Sequence, residues 1–465
     1  MRKYTGEKAI FIAICLILLP VQVAMAAVLS NLRSGANAER TRLVVSADHV
    51  PRYSESVVGK QLIITFDAKI KKTESVQLQD PLVKRAVLER FNTQSRLIVD
   101  FYQKVPKYVI FSLKKPNRIV VDFKKINQEK RTLTIAKGVI YNYAQIYLDK
   151  KPETLHVLEI APKSGYILKP ILGQGNLIQK GILSQIVMRA GAIAAVNASY
   201  FDSETWVVGN LMLDKKWISV EDSPHTALII DDKDEVKIIP NTTYVGQIIR
   251  PDGKTAAITG MNRSRITNDL IYYNDAYNAR TCTNVYGTEV RIKKNKVTEV
   301  SNRGNLILQP NTIVLSGNGT AARFLQGLKV GDRVSIRQSF GIPVANMAKY
   351  VVGAGPLLVD RGVRSVQSAA EDIAPDVAQG RSPRTAIGIR LDGTILVVVV
   401  DGRSSISAGL TLEELADYMV QLHAYKAMNF DGGGSSEMVI NGKVVNVPSD
   451  GRERPIRVAL GVFAK

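Results

Sequence analysis

The stretch "TILVVVVDGRSSISAGLTLEELADYMVQLHAYKAMNFDGGGSSEMVINGKVV", Thr394 to Val445, carries two apolar runs, a helical pattern between them, and an aspartate closing each run. The first run, Ile395 to Val400, is continuous rather than alternating, the pattern of a strand buried on both faces. In the segment that follows, Thr411 and Glu414 have capping-box spacing, and Leu412, Leu415, Met419 and Leu422 fall on one face, which predicts a helix. His423 near its end is read as solvated or as satisfying the helix dipole. A strand, a helix and a strand over so short a stretch predict a right-handed βαβ unit with parallel strands. Asp401 and Asp431 would then stand at the same carboxyl-terminal sheet edge, where open sheets place ligands.

Gly432, Gly433 and Gly434 follow Asp431 directly. Three glycines in a row are costly in backbone entropy and unnecessary for an ordinary turn, but they let backbone N–H groups approach an anion, with the Ser435 and Ser436 hydroxyls beside them. A plain loop remains the alternative for the run taken alone. No Lys-Ser or Lys-Thr pair follows, so it is no Walker motif. Downstream, Asn441-Gly442 between two apolar runs predicts a two-residue hairpin turn.

Two further segments carry chemistry. In "GRSPRTAIGIRLDG", Gly380 to Gly393, Arg384 follows a proline and enters a strand, a placement suited to bidentate phosphate binding or to a surface ion pair. In "AIAAVNASYFD" an apolar run ends in Asn197, which could orient a sugar hydroxyl, ahead of Tyr200 and Phe201, which could stack on a pyranose or fill the core. Gly353 and Gly355 in "VVGAGPLLVDRG" read as shaping a turn.

The 465 residues, 45% apolar and 22% charged, describe a folded protein of two or three domains. Residues 1–26 read as a signal peptide: Arg2, Lys3 and Lys8, then an apolar segment from Ala9 to Leu19, then Ala24-Met25-Ala26 at the cleavage site, an uncleaved anchor being the alternative. Removing them leaves 59 basic and 41 acidic residues, a net charge of +18. An exported, basic protein points to anionic envelope polymers or lipid headgroups rather than nucleic acid. Cys282 is then the one cysteine left, so no intrachain disulfide is expected. His49, His156, His225 and His423 are scattered and form no zinc-binding pair. No cofactor and no metal are assigned, although aspartates and carbonyls near a phosphate would also suit Mg²⁺ or Ca²⁺.

Between residues 27 and 131, short β-branched runs alternate with polar turns, as in a small antiparallel domain. "LSNLRSG", "TRLVVSAD" and "PNRIVVDF" resemble the AMIN domain of exported bacterial envelope proteins and cell-wall amidases, which implies peptidoglycan or envelope-glycan targeting. The domain boundary is placed near Thr132. Residues 132–465 mix strand-like runs with a few helices, so the expected class is α+β, a mixed α/β catalytic domain containing the βαβ unit behind an all-β N-terminal domain. Residues 232–338 read as β-rich without an assigned role.

"VNASYFD", "GAGPLLVDRG", "RSPRTAIGI", "VVVVDGRSSISAGLTLEELADYM", "NFDGGGSSEMVINGKVVN" and "ERPIRVALGVF" resemble, in order and spacing, the phosphodiester glycosidase domain over about residues 140–463. That resemblance implies hydrolysis of a sugar-1-phosphodiester, with Asn197, Arg384, Asp401, Asp431, Gly432, Gly433, Gly434 and Ser435 at matching positions. Ala198 and Ser199 stand where the family commonly has glycines, which leaves substrate specificity open. On this reading Arg384 and the loop from Gly432 to Ser435 bind phosphate, while Asp431, supported by Asp401, serves the anomeric carbon. The expected substrate is a phosphodiester-linked glycan of the cell envelope or an exopolysaccharide. The competing reading is a non-catalytic envelope-glycan-binding protein in exopolysaccharide assembly; a zinc amidase is disfavoured by the scattered histidines.

Overall fold

The computed structural model describes all residues except 1–25, 38, 79, 81, 103, 126–128, 149–150, 203–206, 222 and 344–346. The expected signal peptide therefore lies, apart from Ala26, outside the described residues. The chain divides into two compact units at Lys124/Lys125. The strand Glu129–Ala136, across which the boundary at Thr132 was drawn, pairs with Val139–Leu148 inside the second unit.

The first unit is all β. Ala68–Ile70, Ala27–Ala36, Arg40–Ala47, Arg118–Lys124 and Tyr108–Leu113 form one five-stranded sheet; Tyr53–Val58, Gln61–Phe66, Gln94–Phe101, Val83–Phe91 and Glu74–Gln77 form another. Burial alternates strictly along Gln61–Phe66 and Gln94–Phe101, so one face of each strand enters a core that includes Leu29, Leu43, Ile64, Phe66, Leu97 and Phe123.

The second unit departs from the α+β expectation. Across both units, strands make up 51% and helices 9% of the described residues. Among the described residues there are four α-helices: α1 (Leu183–Ala190), α2 (Gly319–Gln326), α3 (Pro375–Gln379) and α4 (Leu412–Gln421). Its largest sheet runs Glu129–Ala136, Val139–Leu148, Lys151–Ile160, Ile395–Val400, Arg384–Ile389, Lys426–Asn429, Leu357–Asp360 and Val363–Arg364, and every pairing in it is antiparallel. A second antiparallel sheet orders Tyr166–Leu172, Val458–Ala464, Ala194–Asn197, Met438–Ile440 and Lys443–Val444.

The two strands expected to be neighbours in a βαβ unit are separated by Arg384–Ile389, which is antiparallel to both. They therefore run in the same direction, and each aspartate still follows the carboxyl end of its strand, but the parallel pairing is absent. The physical reason lies in how the sheet is covered. Leu396, Val398 and Val400 pack with Leu412, Leu415 and Met419 of α4, whereas Val397 and Val399 join a core that contains Val196 and Leu460 of the second sheet. A strand covered on both faces needs no polar alternation in either pairing mode.

The local expectations for α4 hold. Thr411 Oγ1 accepts from Glu414 N–H at 3.2 Å, and the Glu414 carboxylate accepts from Thr411 N–H at 2.9 Å, closing the capping box. His423 is exposed just beyond the helix end, in the left-handed region at φ +63°. Asn441 and Gly442 have φ +48° and +74°, the paired positive values of a tight hairpin turn, and join Met438–Ile440 to Lys443–Val444.

Candidate active site

Asp431 begins where the strand Lys426–Asn429 leaves the large sheet. Its N–H donates to Ala198 O at 2.8 Å, and its carbonyl accepts from Asn197 Nδ2 at 2.6 Å. Asn197 Oδ1 accepts from Thr385 Oγ1 at 2.7 Å and from Glu437 N–H at 3.2 Å. One buried amide thus ties the ends of strands from both sheets to the two ends of the glycine loop. Its oxygen and its contact to Asp431 serve the protein itself, so Asn197 acts here as a brace.

The Asp431 carboxylate accepts from Gly432 N–H at 2.8 Å. Burial pushes its pKa up to about 6, against the lowering pull of the Ser435 hydroxyl, the Gly432 N–H and the Arg454 charge. A carboxyl poised there is mostly ionised near neutrality yet weakly solvated, the condition of a nucleophile or general base. Tyr200 lies close by: its hydroxyl donates to Gly355 O at 2.8 Å and accepts from Asn429 Nδ2 at 2.7 Å. Burial, with the Asp431 charge second, raises the phenol and keeps it protonated.

The glycines matter through what a side chain would strike. Gly433 has φ +62°, and a Cβ there would stand 3.2 Å from Arg403 Nη2; at Gly434 a Cβ would overlap the Arg454 guanidinium. Two guanidinium groups, neither singled out by the sequence reading, therefore lie against the loop. Arg454 is held by Asp450 at 2.7 Å, and Arg403 donates to Ser382 Oγ at 3.3 Å. The backbone plays a smaller part than expected, because Gly433 N–H donates to Pro383 O and Ser435 N–H to Gly432 O. With Gly432 N–H on Asp431, three of the four N–H groups of this nest are engaged within the protein.

Arg384 is buried, its Cδ facing Gly432. Its Nε donates to Leu410 O at 2.9 Å, and its Nη2 to Val377 O at 3.0 Å and to Gly380 O. It binds the loop that precedes α4 to the segment around α3. Among the described residues no hydrogen bond engages Nη1, the nitrogen left for a ligand.

Asp401 is also buried, and its carboxylate is engaged on both oxygens. Oδ1 accepts from Asn446 Nδ2 at 3.1 Å and Val447 N–H at 3.0 Å, while Oδ2 faces His156 Nε2 at 3.4 Å. Asn446 in turn accepts from Met438 N–H at 2.9 Å and donates to Ser436 O at 3.1 Å. Asp401 thus supports the glycine loop from behind.

Four buried polar atoms in the segments that meet here have no hydrogen-bond partner: Ser199 Oγ, Asn429 Oδ1, Ser436 Oγ and Glu437 Oε1. Leaving such groups unmade costs about 1–3 kcal/mol each, so their concentration beside Asp431 marks a place prepared for a ligand or water. Burial pushes the Glu437 carboxyl up to about 9, reinforced by the neighbouring Glu453 carboxylate, which accepts from Ser184 N–H and Oγ at the start of α1. Among the described residues no group of three or more His, Cys, Asp or Glu gathers as metal ligands would.

Residues 286–463 match the model of the phosphodiester glycosidase family. Among curated proteins, the chain is 42% identical over 76 residues to an uncharacterized SPbeta prophage-derived protein, YomE, of Bacillus subtilis. It is 39% identical over 69 residues to the mouse N-acetylglucosamine-1-phosphodiester alpha-N-acetylglucosaminidase. These alignments take in 16% and 15% of this chain, and the chain spans only 12% and 13% of those proteins' lengths. A crystal structure of a hypothetical protein from Synechocystis superposes over 95% of this chain and 81% of that one, with a TM-score of 0.67 at 19% identity, which shows a shared fold.

Proposed function

We infer that the chain is a hydrolase that cleaves a sugar-1-phosphodiester, with Asp431 as its reacting carboxylate. The observation that carries this reading is the arrangement at Asp431: a weakly solvated carboxylate opening a glycine loop with Arg403 and Arg454 against it. A phosphate monoester is a far weaker base than a sugar alkoxide, so its departure needs charge stabilisation more than protonation. Arg403 and Arg454 are placed to supply that charge, with Arg384 Nη1 behind them and the Ser435 and Ser436 hydroxyls as further donors. Asp431 attacks the anomeric carbon or activates the water that does so. Asn197, Asp401 and Asn446 hold the loop so that these groups converge.

The family match over residues 286–463 and the activity for which the mouse enzyme is named support this class of substrate. The signal-like residues 1–26, the excess of basic side chains and the AMIN-like motifs of the first unit favour action outside the cytoplasm on an envelope glycan or exopolysaccharide. The test is release of N-acetylglucosamine from UDP-N-acetylglucosamine and from a methyl phosphodiester of the same sugar. Turnover by the native chain that falls at least a thousandfold in Asp431→Asn is the expected result. Unchanged turnover in that variant would remove Asp431 from the mechanism.

A further inference from the structure

A cavity of about 350 Å³ opens beside Asp401, lined by Arg131, Tyr141, Tyr143, Gln145 and His156 together with aliphatic side chains. Its inner wall is a chain of buried polar groups. Tyr141 OH lies 2.8 Å from His156 Nδ1, and His156 Nε2 lies 3.4 Å from Asp401 Oδ2. With Tyr141 donating to Nδ1, the imidazole proton sits on Nε2 and faces Asp401, so each member has its partner. The Tyr141 ring is stacked on the imidazole and Tyr143 meets it edge-on, which fixes both tyrosines as rigid walls.

Charge decides what such a cavity accepts. Arg131 is paired with Glu129 at 2.6 Å, and its guanidinium lies 5.3 Å from the Tyr143 ring centre. Asp401 already has two N–H donors and the imidazole. Neither sign of charge is left uncompensated, so an anion or a cation would lose its hydration with little return. What remains available is neutral: the amide of Gln145 and the hydroxyl of Tyr143, for which no hydrogen bond is made among the described residues, and aromatic and aliphatic faces. Leu133, Val445 and Val447 complete those faces. Flat apolar walls with a few neutral hydrogen-bonding groups fit a ring that carries C–H faces and hydroxyl edges.

We propose that this cavity, built by Tyr143, Gln145 and the Tyr141–His156–Asp401 chain, is a binding site for a neutral saccharide ring. The phosphodiester reading is not needed for it, since binding there is measurable in a chain that turns nothing over. The occupant would lie two side chains from the glycine loop, because Asp401 Oδ1 holds Asn446, and Asn446 holds Ser436 and Met438.

The test uses the full chain and three uncharged probes, the methyl α-glycosides of glucose, galactose and N-acetylglucosamine, followed by saturation-transfer NMR and titration calorimetry. At least one probe is expected to bind, and its affinity to fall about tenfold in Tyr143→Ala and in Gln145→Leu. It should be unchanged in Asp431→Asn, and 20 mM inorganic phosphate, a concentration of about that order, should not displace it. Absence of binding by all three probes overturns the proposal. So does binding that both cavity variants leave intact, which would put the sugar elsewhere, and so does displacement by phosphate. Each variant's melting temperature separates lost binding from lost folding: a Tyr143→Ala protein that melts early is set aside, and Gln145→Leu, at a partly exposed position, then decides.

Discussion

Asp431→Asn is expected to make the protein more stable while inactivating it. Burial raises the Asp431 carboxyl from its ordinary 3.8 to about 6. Between those values the folded state binds more protons than the unfolded chain, so stability falls as pH rises from about 4 to about 6 and then levels off. One pH unit corresponds to about 1.4 kcal/mol, which sets a ceiling of about 3 kcal/mol on the destabilisation above pH 6. Asp431 is partly exposed, so solvent screening reduces the expected effect to about 1–2 kcal/mol. Asparagine keeps an oxygen for the Gly432 N–H but carries no charge to desolvate. Urea unfolding of the second unit at pH 4 and pH 8 tests this. The variant should match the native chain at pH 4 and exceed it by about 1–2 kcal/mol at pH 8, with sugar release abolished throughout. A variant that is less stable at pH 8, or equally shifted at both pH values, would refute a desolvated carboxylate at this position.

Gly433→Ala should lower stability by about 1–2 kcal/mol, since an L-residue is strained at φ +62°; displacement of Arg403 should also reduce turnover, measured by thermal unfolding and the sugar-release assay. Arg454→Ala should weaken phosphodiester binding about tenfold or more, read as a rise in KM, and make it less sensitive to salt, with little loss on an uncharged glycoside. Glu437→Gln keeps a donor for Glu453 and should unfold no more readily than the native chain at pH 7. Because the Glu437 carboxyl is raised from 4.5 to about 9, its neutral form supports the fold below 4.5, and that support is lost as pH climbs towards 9. The variant should therefore show a shallower fall in its urea midpoint as pH rises from about 4.5 to about 9.

What could be read from the chain alone was local. The Thr411–Glu414 capping box and the Asn441-Gly442 turn depend on neighbouring residues, and both stand as expected. Sheet pairing was not legible, because Arg384–Ile389 is inserted between Ile395–Val400 and Lys426–Asn429 by contacts made across the sheet. An apolar run covered on both faces reads alike in parallel and antiparallel surroundings, so the α+β class followed from it and failed. Asn197, Arg384, Asp401 and the glycine loop do meet, yet Asn197 and Asp401 are engaged in holding the loop. Arg403 and Arg454 were passed over because loop arginines usually mean solvated surface. The signal was present in "DGRSS", where Arg403 stands two residues after Asp401, and in "DGRERP", on the approach to the strand Val458–Ala464.

The position of Val458–Ala464 within its sheet governs when the site can form. That strand lies between Tyr166–Leu172 and Ala194–Asn197 and supplies the neighbour that fixes Asn197 in register. During synthesis the first unit can close once residue 124 has emerged, whereas the sheet carrying Asn197 stays open at its middle until residue 464 is made. The brace on Asp431 therefore waits for a strand that follows the glycine loop in the chain, and the arrangement proposed for catalysis is incomplete until that strand pairs.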